Sequence, residues 1–253
     1  MTTCYFTATG NCLYVARRIG GTPLSIPQLM RKGDLEIADD AVGIVCPCYA
    51  VEMPMMVRDF LSKARIRTGY FFFIYTYGMG IAAAFAHAEL AARAAGLRLR
   101  YCAAIQMVDN YLPVFEMGDQ LRTLPEKRVD EHVAEVVADI AARRERPVAV
   151  TPADEAEMAR YKRLLAEPIL RKDTAKGYIV TDACVRCGVC AKVCPADNIR
   201  VSDAGVEFGD RCEVCYACLH NCPKNALHMR EERSAMRFRN EHVTLADIVA
   251  ANG

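Results

Sequence analysis

The chain contains no tryptophan, and its charges cancel: 32 Lys and Arg stand against 31 Asp and Glu, a formal net charge of +1. That balance removes any electrostatic reason to expect nucleic acid or an acidic membrane as a partner. No targeting segment is apparent either. MTTCYF enters a strand directly, without the basic start or apolar core of a signal peptide, so a cytoplasmic location is expected. Long uncharged runs are almost absent. The exception, Gly69–Ala88, is uncharged apart from His87 and long enough to cross a bilayer. Its first half is aromatic and β-branched, its second half alanine-rich, and GMG divides them. This predicts a buried strand, a turn and a helix, and no membrane span. No Ser/His/Asp, paired-carboxylate or basic–aromatic pattern stands out, which leaves hydrolytic and nucleic-acid functions without a motif.

What the sequence does have is cysteine. Thirteen occur, five scattered (Cys4, Cys12, Cys46, Cys48, Cys102) and eight between Cys184 and Cys222. The eight form two runs of C-x2-C-x2-C-x3-C-P, Cys184–Pro195 and Cys212–Pro223. Adding 28 to a residue number maps the first run onto the second, carrying Asp182 to Asp210 and Ile199 to Leu227 as well. Three thiolates on one tight loop suit three corners of a multi-iron cubane, with the fourth cysteine reaching the other cluster. One cluster would take Cys184, Cys187, Cys190 and Cys222; the other would take Cys212, Cys215, Cys218 and Cys194. Structural zinc does not need a third cysteine in the same loop, and disulfides are disfavoured without an export signal.

At 253 residues the chain fits one medium domain and a smaller one. Its first part alternates strand and helix signals. Strands are expected at Cys4–Phe6, within Pro23–Met30, and at Ala41–Pro47, Tyr70–Tyr77 and Leu97–Met107. Helices are expected at Leu13–Ile19, Met53–Ala64, Ile81–Ala95 and Val129–Arg144. Such alternation predicts an α/β fold, a parallel sheet with helices on both faces and ligands beyond the carboxyl ends of the strands. Thr151 and Pro152 start a further helix whose apolar stripe is Met158, Tyr161, Leu164 and Leu165, a docking helix between domains. The tail offers Arg230, Arg233, Arg237 and Arg239, then a short helix capped at Thr244 that wraps back onto the body.

The loop Thr7-Ala8-Thr9-Gly10-Asn11-Cys12 joins the first strand to the first helix and presents an anion site. It resembles the flavodoxin phosphate loop, Thr/Ser-x-Thr-Gly-x-Thr, with Cys12 in place of the last hydroxyl. The resemblance implies that Thr7, Thr9, Gly10, Asn11 and Cys12 hold the phosphate of FMN. Two further loops then fall to the flavin ring. Pro47–Met53 offers Pro47 and Tyr49; Thr76–Gly80 offers Thr76, Tyr77, Gly78, Met79 and Gly80. Gly78–Ala83 also fits a dinucleotide fingerprint, but it follows the fourth strand and lacks the acid about 20 residues on, so the flavin reading is kept. Cys46 and Cys48 read as packing residues, and His220 as a surface residue.

Lys176–Met229 resembles the bacterial-type two-cluster ferredoxin, although six Lys/Arg balance six Asp/Glu where many ferredoxins are acidic. The order of parts is similar to the flavodoxin–ferredoxin fusion family of anaerobes, including CPCYAVEMPMMVRDFL in the second loop and RYKRLL in the linker. The resemblance implies a five-stranded flavodoxin-like domain over 1–148, a helical linker over 149–175, a small α+β ferredoxin domain with two 4Fe–4S clusters over 176–229, and a tail over 230–253. It implies an electron-transfer protein that relays single electrons between the clusters and FMN for a partner ferredoxin, dehydrogenase or reductase. Two alternatives stay open: an FMN-dependent reductase of a small acceptor, and an N-terminal docking module without flavin. Donor, acceptor, direction of flow and oligomeric state, monomer or dimer, are left open by the sequence.

Overall fold

The alternating apolar runs of the first part fold as β1 (Thr2–Tyr5), α1 (Asn11–Ile19), β2 (Thr22–Ser25), α2 (Ile26–Lys32), β3 (Glu36–Ala38), β4 (Ala41–Pro47), α3 (Met55–Lys63), β5 (Arg65–Arg67), β6 (Tyr70–Tyr77), α4 (Ala84–Ala94) and β7 (Leu99–Gln106). The computed structural model describes residues 1–50, 52–164 and 174–253, with the side chains of 161–164 excepted. Five strands pair in parallel in the order β2-β1-β4-β6-β7. Counted among themselves they run 2-1-3-4-5, the flavodoxin-type order, whose switch point lies between β1 and β4. AVGIVCP and YFFFIYTY are buried along all but their last residue. Helices cover both faces, so neither strand alternates with polar residues.

The sheet departs from expectation in its details. The first strand starts two residues earlier and ends one earlier, at Thr2–Tyr5, and the fourth helix starts at Ala84. The strand expected within Pro23–Met30 ends at Ser25, and a helix follows. Ser25 Oγ accepts from Gln28 N at 3.2 Å and Pro27 sits in the first turn, so a cap and a fixed φ override the short apolar run. β3 and β5 form a separate parallel pair.

After the sheet come α5 (Met117–Arg122), α6 (Val129–Ala141) and α7 (Pro152–Leu164). Thr151 and Asp154 cap α7 reciprocally, Asp154 N donating to Thr151 Oγ1 and Thr151 N to Asp154 Oδ2. Of the expected stripe, Met158 packs with Ala83 and Ala86; the side chains of Tyr161, Leu164 and Leu165 lie outside the described residues.

The C-terminal part holds β8 (Ile179–Val180), α8 (Val189–Lys192), β9 (Ile199–Ser202), β10 (Gly205–Phe208), α9 (Ala217–His220), β11 (Leu227–His228) and α10 (Leu245–Asn252). β9 and β10 form an antiparallel hairpin; β8 and β11 pair antiparallel from opposite ends of the segment. The 28-residue repeat extends to the backbone. Positive φ recurs at Arg186 and Val214, at Gly188 and Tyr216, and at Asp197 and Asn225. Tyr216 thus adopts a left-handed conformation that its counterpart meets with glycine. The parts share their cores. Val193, Cys215, Ala217, Val243 and Ile248 belong to the sheet's core, while Val108, Leu112 and Met117 join Tyr178, Ile199 and Leu219 in the second.

Candidate flavin and cluster sites

A cavity of about 570 Å³ opens beyond the carboxyl ends of the sheet strands, within the roughly 300–1,000 Å³ of ligand pockets. Its lining includes Thr7, Thr9, Asn11, Cys12, Pro47, Tyr49, Thr76, Tyr77, Gly78, Met79 and Gly80, all of the expected flavin residues except Gly10. Gly10 has φ +102°, and a Cβ there would meet Val243 Cβ at 2.9 Å and Asn240 Cβ at 3.0 Å. Its freedom serves the turn and the packed tail behind it.

The loop at the start of α1 is built to donate. Thr7 Oγ1 accepts from Gly10 N at 3.2 Å and Thr9 Oγ1 from Asn110 Nδ2 at 3.1 Å. Each acceptor role leaves that hydroxyl's own proton for an anion. By helix geometry the first N–H groups of α1 have no partner inside the helix. Asn11 differs from expectation: its amide donates to Val108 O and its Oδ1 accepts from Asn240 Nδ2, so it braces the loop. Cys12 Sγ lies 3.2 Å from Thr76 Oγ1, and burial pushes the thiol up to about 12, which keeps it protonated.

At the other end of the cavity, Tyr49 meets Phe6 edge-on at 6.4 Å, and its buried hydroxyl has no hydrogen-bond partner among the described residues. Cys48 lines the cavity, whereas Cys46 is buried in the core. The segment after β7 was not foreseen as cavity wall. Asp109 lines the cavity, Tyr111 N donates to its Oδ1, and burial raises its carboxyl above the ordinary range. Tyr111 lies 5.6 Å from Tyr216, ring to ring. A signal existed in the chain, since VDNYLPVF follows the last sheet strand, where such folds place ligand loops.

The eight clustered cysteines form two groups. Cys184, Cys187, Cys190 and Cys222 line one small separate cavity. The thiols acting electrostatically on Cys190 are those of Cys222, Cys184 and Cys187. Those acting on Cys215 are Cys212 and Cys194, and Cys218 feels Cys215, Cys212 and Cys194 before Cys190. The structure thus brings Cys184, Cys187, Cys190 and Cys222 together around one cavity and places Cys194 near Cys212, Cys215 and Cys218. Among the described residues no three His, Cys, Asp or Glu side chains converge as a single metal ion requires. Two sets of four soft thiol donors suit multi-iron clusters.

Residues 176–223 match the 4Fe-4S dicluster domain family. The chain is 40% identical over 48 residues to a component of the ion-translocating oxidoreductase complex of Methanosarcina acetivorans, covering 19% of this chain and 18% of that protein. It is 39% identical over 61 residues to Ferredoxin-1 of Caulobacter vibrioides, covering 23% of this chain and 54% of that one. The chain therefore spans about a fifth and about half of these curated relatives. A flavodoxin from the domain Archaea superposes with a TM-score of 0.32 at 14% identity, covering 54% of this chain and 97% of that structure.

The segment that matches the dicluster family also walls the sheet cavity. Glu213, Val214 and Tyr216, interleaved with Cys212, Cys215 and Cys218, line it. Glu213 accepts from Met56 N at 3.0 Å, placing a carboxylate at the N-terminus of α3, where the helix dipole favours it. His220 is not a surface residue. It is buried, its Nδ1 accepts from Phe238 N at 3.1 Å, and its Nε2–H therefore donates to Asn110 O at 2.8 Å. Desolvation lowers it to about 4, so the dicluster domain carries a neutral imidazole that holds the Asn110 loop and the tail.

Proposed function

We propose that this is an electron-transfer flavo-iron-sulfur protein with FMN in the sheet cavity and a 4Fe–4S cluster on each cysteine set, serving a partner redox enzyme. Its order of parts agrees with a flavodoxin–ferredoxin fusion of the kind found in anaerobes. The observation that carries the reading is that one cavity has the donor-rich loop Thr7–Cys12 as one wall and the residues between Cys212 and Cys218 as another. When bound, the clusters supply single electrons and FMN holds one or two. The chain's own work is placement. Thr7, Thr9 and the start of α1 would donate to the phosphate, and Tyr49 and Tyr77, which line the cavity, would hold the ring. Tyr216, in a left-handed conformation next to Cys215 in the chain, lines the cavity. Cys187 of the first set is exposed, which suits exchange with the partner there.

A second reading, reduction of a small acceptor at the flavin, has one observation in its favour. Asp109 lines the cavity and burial raises its carboxyl, as a proton donor requires. Anaerobic purification tests the cofactors. About eight irons, about eight labile sulfides and one FMN per chain are expected. FAD, or no flavin after reconstitution, removes the flavin reading; zinc without sulfide removes the clusters. Turnover of a small acceptor without any protein acceptor favours the second reading.

A further inference from the structure

Three consecutive carbonyls of the phosphate loop are captured from one side by the C-terminal part of the chain. Asn252 Nδ2 donates to Thr7 O at 2.9 Å, Asn221 Nδ2 to Ala8 O at 3.2 Å, and Asn240 N to Thr9 O at 2.8 Å. Both asparagine side chains are buried, Asn252 at 0% exposure and Asn221 at 2%. Each amide makes a second bond to the backbone beside a cysteine: Asn252 to Val193 O at 3.1 Å, next to Cys194, and Asn221 to Ala217 O at 2.9 Å, next to Cys218.

In a planar trans peptide the N–H points opposite the preceding carbonyl. Holding the oxygens of Thr7, Ala8 and Thr9 toward the tail therefore turns the N–H groups of Ala8, Thr9 and Gly10 the other way. Gly10 N is used by Thr7 Oγ1. The N–H groups of Ala8 and Thr9 are left on the side where both residues line the cavity. Rotation of either peptide would present an oxygen to a phosphate instead of a donor, replacing attraction by repulsion.

We infer that Asn221 and Asn252 are positioning residues for anion recognition: they lock the loop peptides with donors toward the cavity and make the site selective for a flavin that carries a phosphate. This rests on the proposal that the cavity holds FMN. The same reach explains why the dicluster domain and the tail pack on the back of the loop, where Val243 occupies the space beside Gly10.

The test uses the full chain with its clusters retained and its flavin removed. FMN and riboflavin, which lacks the phosphate, are titrated by flavin fluorescence into the unaltered protein, Asn252→Leu and Asn221→Leu. The unaltered protein is expected to prefer FMN. Each variant is expected to bind FMN about tenfold more weakly, equivalent to about 1.4 kcal/mol, with riboflavin affinity and iron and sulfide content unchanged. Variants that keep the unaltered FMN-to-riboflavin ratio overturn the inference, as does an equal loss of both ligands, which marks mere scaffolding. If Asn252→Leu does not accumulate in folded form, Asn221→Leu decides alone, because it removes a separate bond to a separate carbonyl. An unaltered protein that does not prefer FMN defeats the phosphate reading itself, a result visible before any variant is made.

Discussion

Cys12 sits where the flavodoxin phosphate loop that this segment resembles carries a hydroxyl, and its Sγ lies 3.2 Å from Thr76 Oγ1 inside the protein. A thiol is a weaker hydrogen-bond donor than a hydroxyl, and this one is kept protonated by burial. Cys12→Ser keeps the size and restores the donor. It is expected to tighten FMN about two- to tenfold, the equivalent of one ordinary net hydrogen bond, in a fluorescence titration. An unchanged affinity would confine the residue's contact to Thr76. Most residues of this wall were legible in the sequence, because Thr-x-Thr-Gly at a strand-to-helix join has a local physical meaning. Their individual duties were not. Asn11 is used by Val108, 97 residues away, and by Asn240, 229 residues away, and Gly10 makes room for Val243. No local pattern carries partners at such separations.

Among the elements, α10 acts as the clamp. Ile248, Ala251 and Asn252 are buried on its inner side, and its final carbonyls meet side chains of α2 and its cap. Ser25 Oγ donates to Ala251 O, and Arg31 donates to Gly253 O at 2.9 Å and to Asn252 O. At its other end Thr244 and Asp247 form a capping box, and Arg17 pairs with Asp247. The Arg17 guanidinium, with Thr244, holds the Asp247 carboxyl well below its usual 3.8. A depressed carboxyl contributes fully above its unfolded value and is lost as pH falls through the folded one. The clamp is therefore expected to loosen below about pH 4. Hydrogen exchange over 245–252, corrected for intrinsic rates, should accelerate there, and Asp247→Asn should flatten that dependence. α10 was readable from its threonine cap, and β4 and β6 from apolar runs that helices cover on both faces. Its seat α2 was not, because seven residues with only Ile26, Pro27 and Leu29 buried carry too little periodicity to outweigh a strand reading.

At the scale of the whole molecule, the two cysteine sets have different neighbours. One member of the second set reaches the sheet: Cys215 lies in the sheet's core, and its neighbours Glu213, Val214 and Tyr216 wall the sheet cavity, while Cys194, Cys212 and Cys218 share the second core with Cys190 and Cys222 of the first set. The first set lines a cavity that shares no lining residue with the sheet cavity. Every thiol with a resolved shift in the two sets is pushed upward by burial, so assembly must expel protons from this interior, and loss of a cluster returns them there. Losing the second cluster should then disorder a wall of the cavity, while losing the first should leave that wall standing. Cys215→Ala is expected to weaken FMN by about 5- to 150-fold, the usual span of coupling between sites. Cys187→Ala, at the exposed member of the first set, should change it far less. Coupling of this kind is reciprocal, so bound FMN should slow bleaching of the second cluster by a chelator and spare the first little. Equal effects of the two substitutions on FMN affinity would mean that the dicluster domain supports the cavity as a single block, with no privileged cluster beside the flavin.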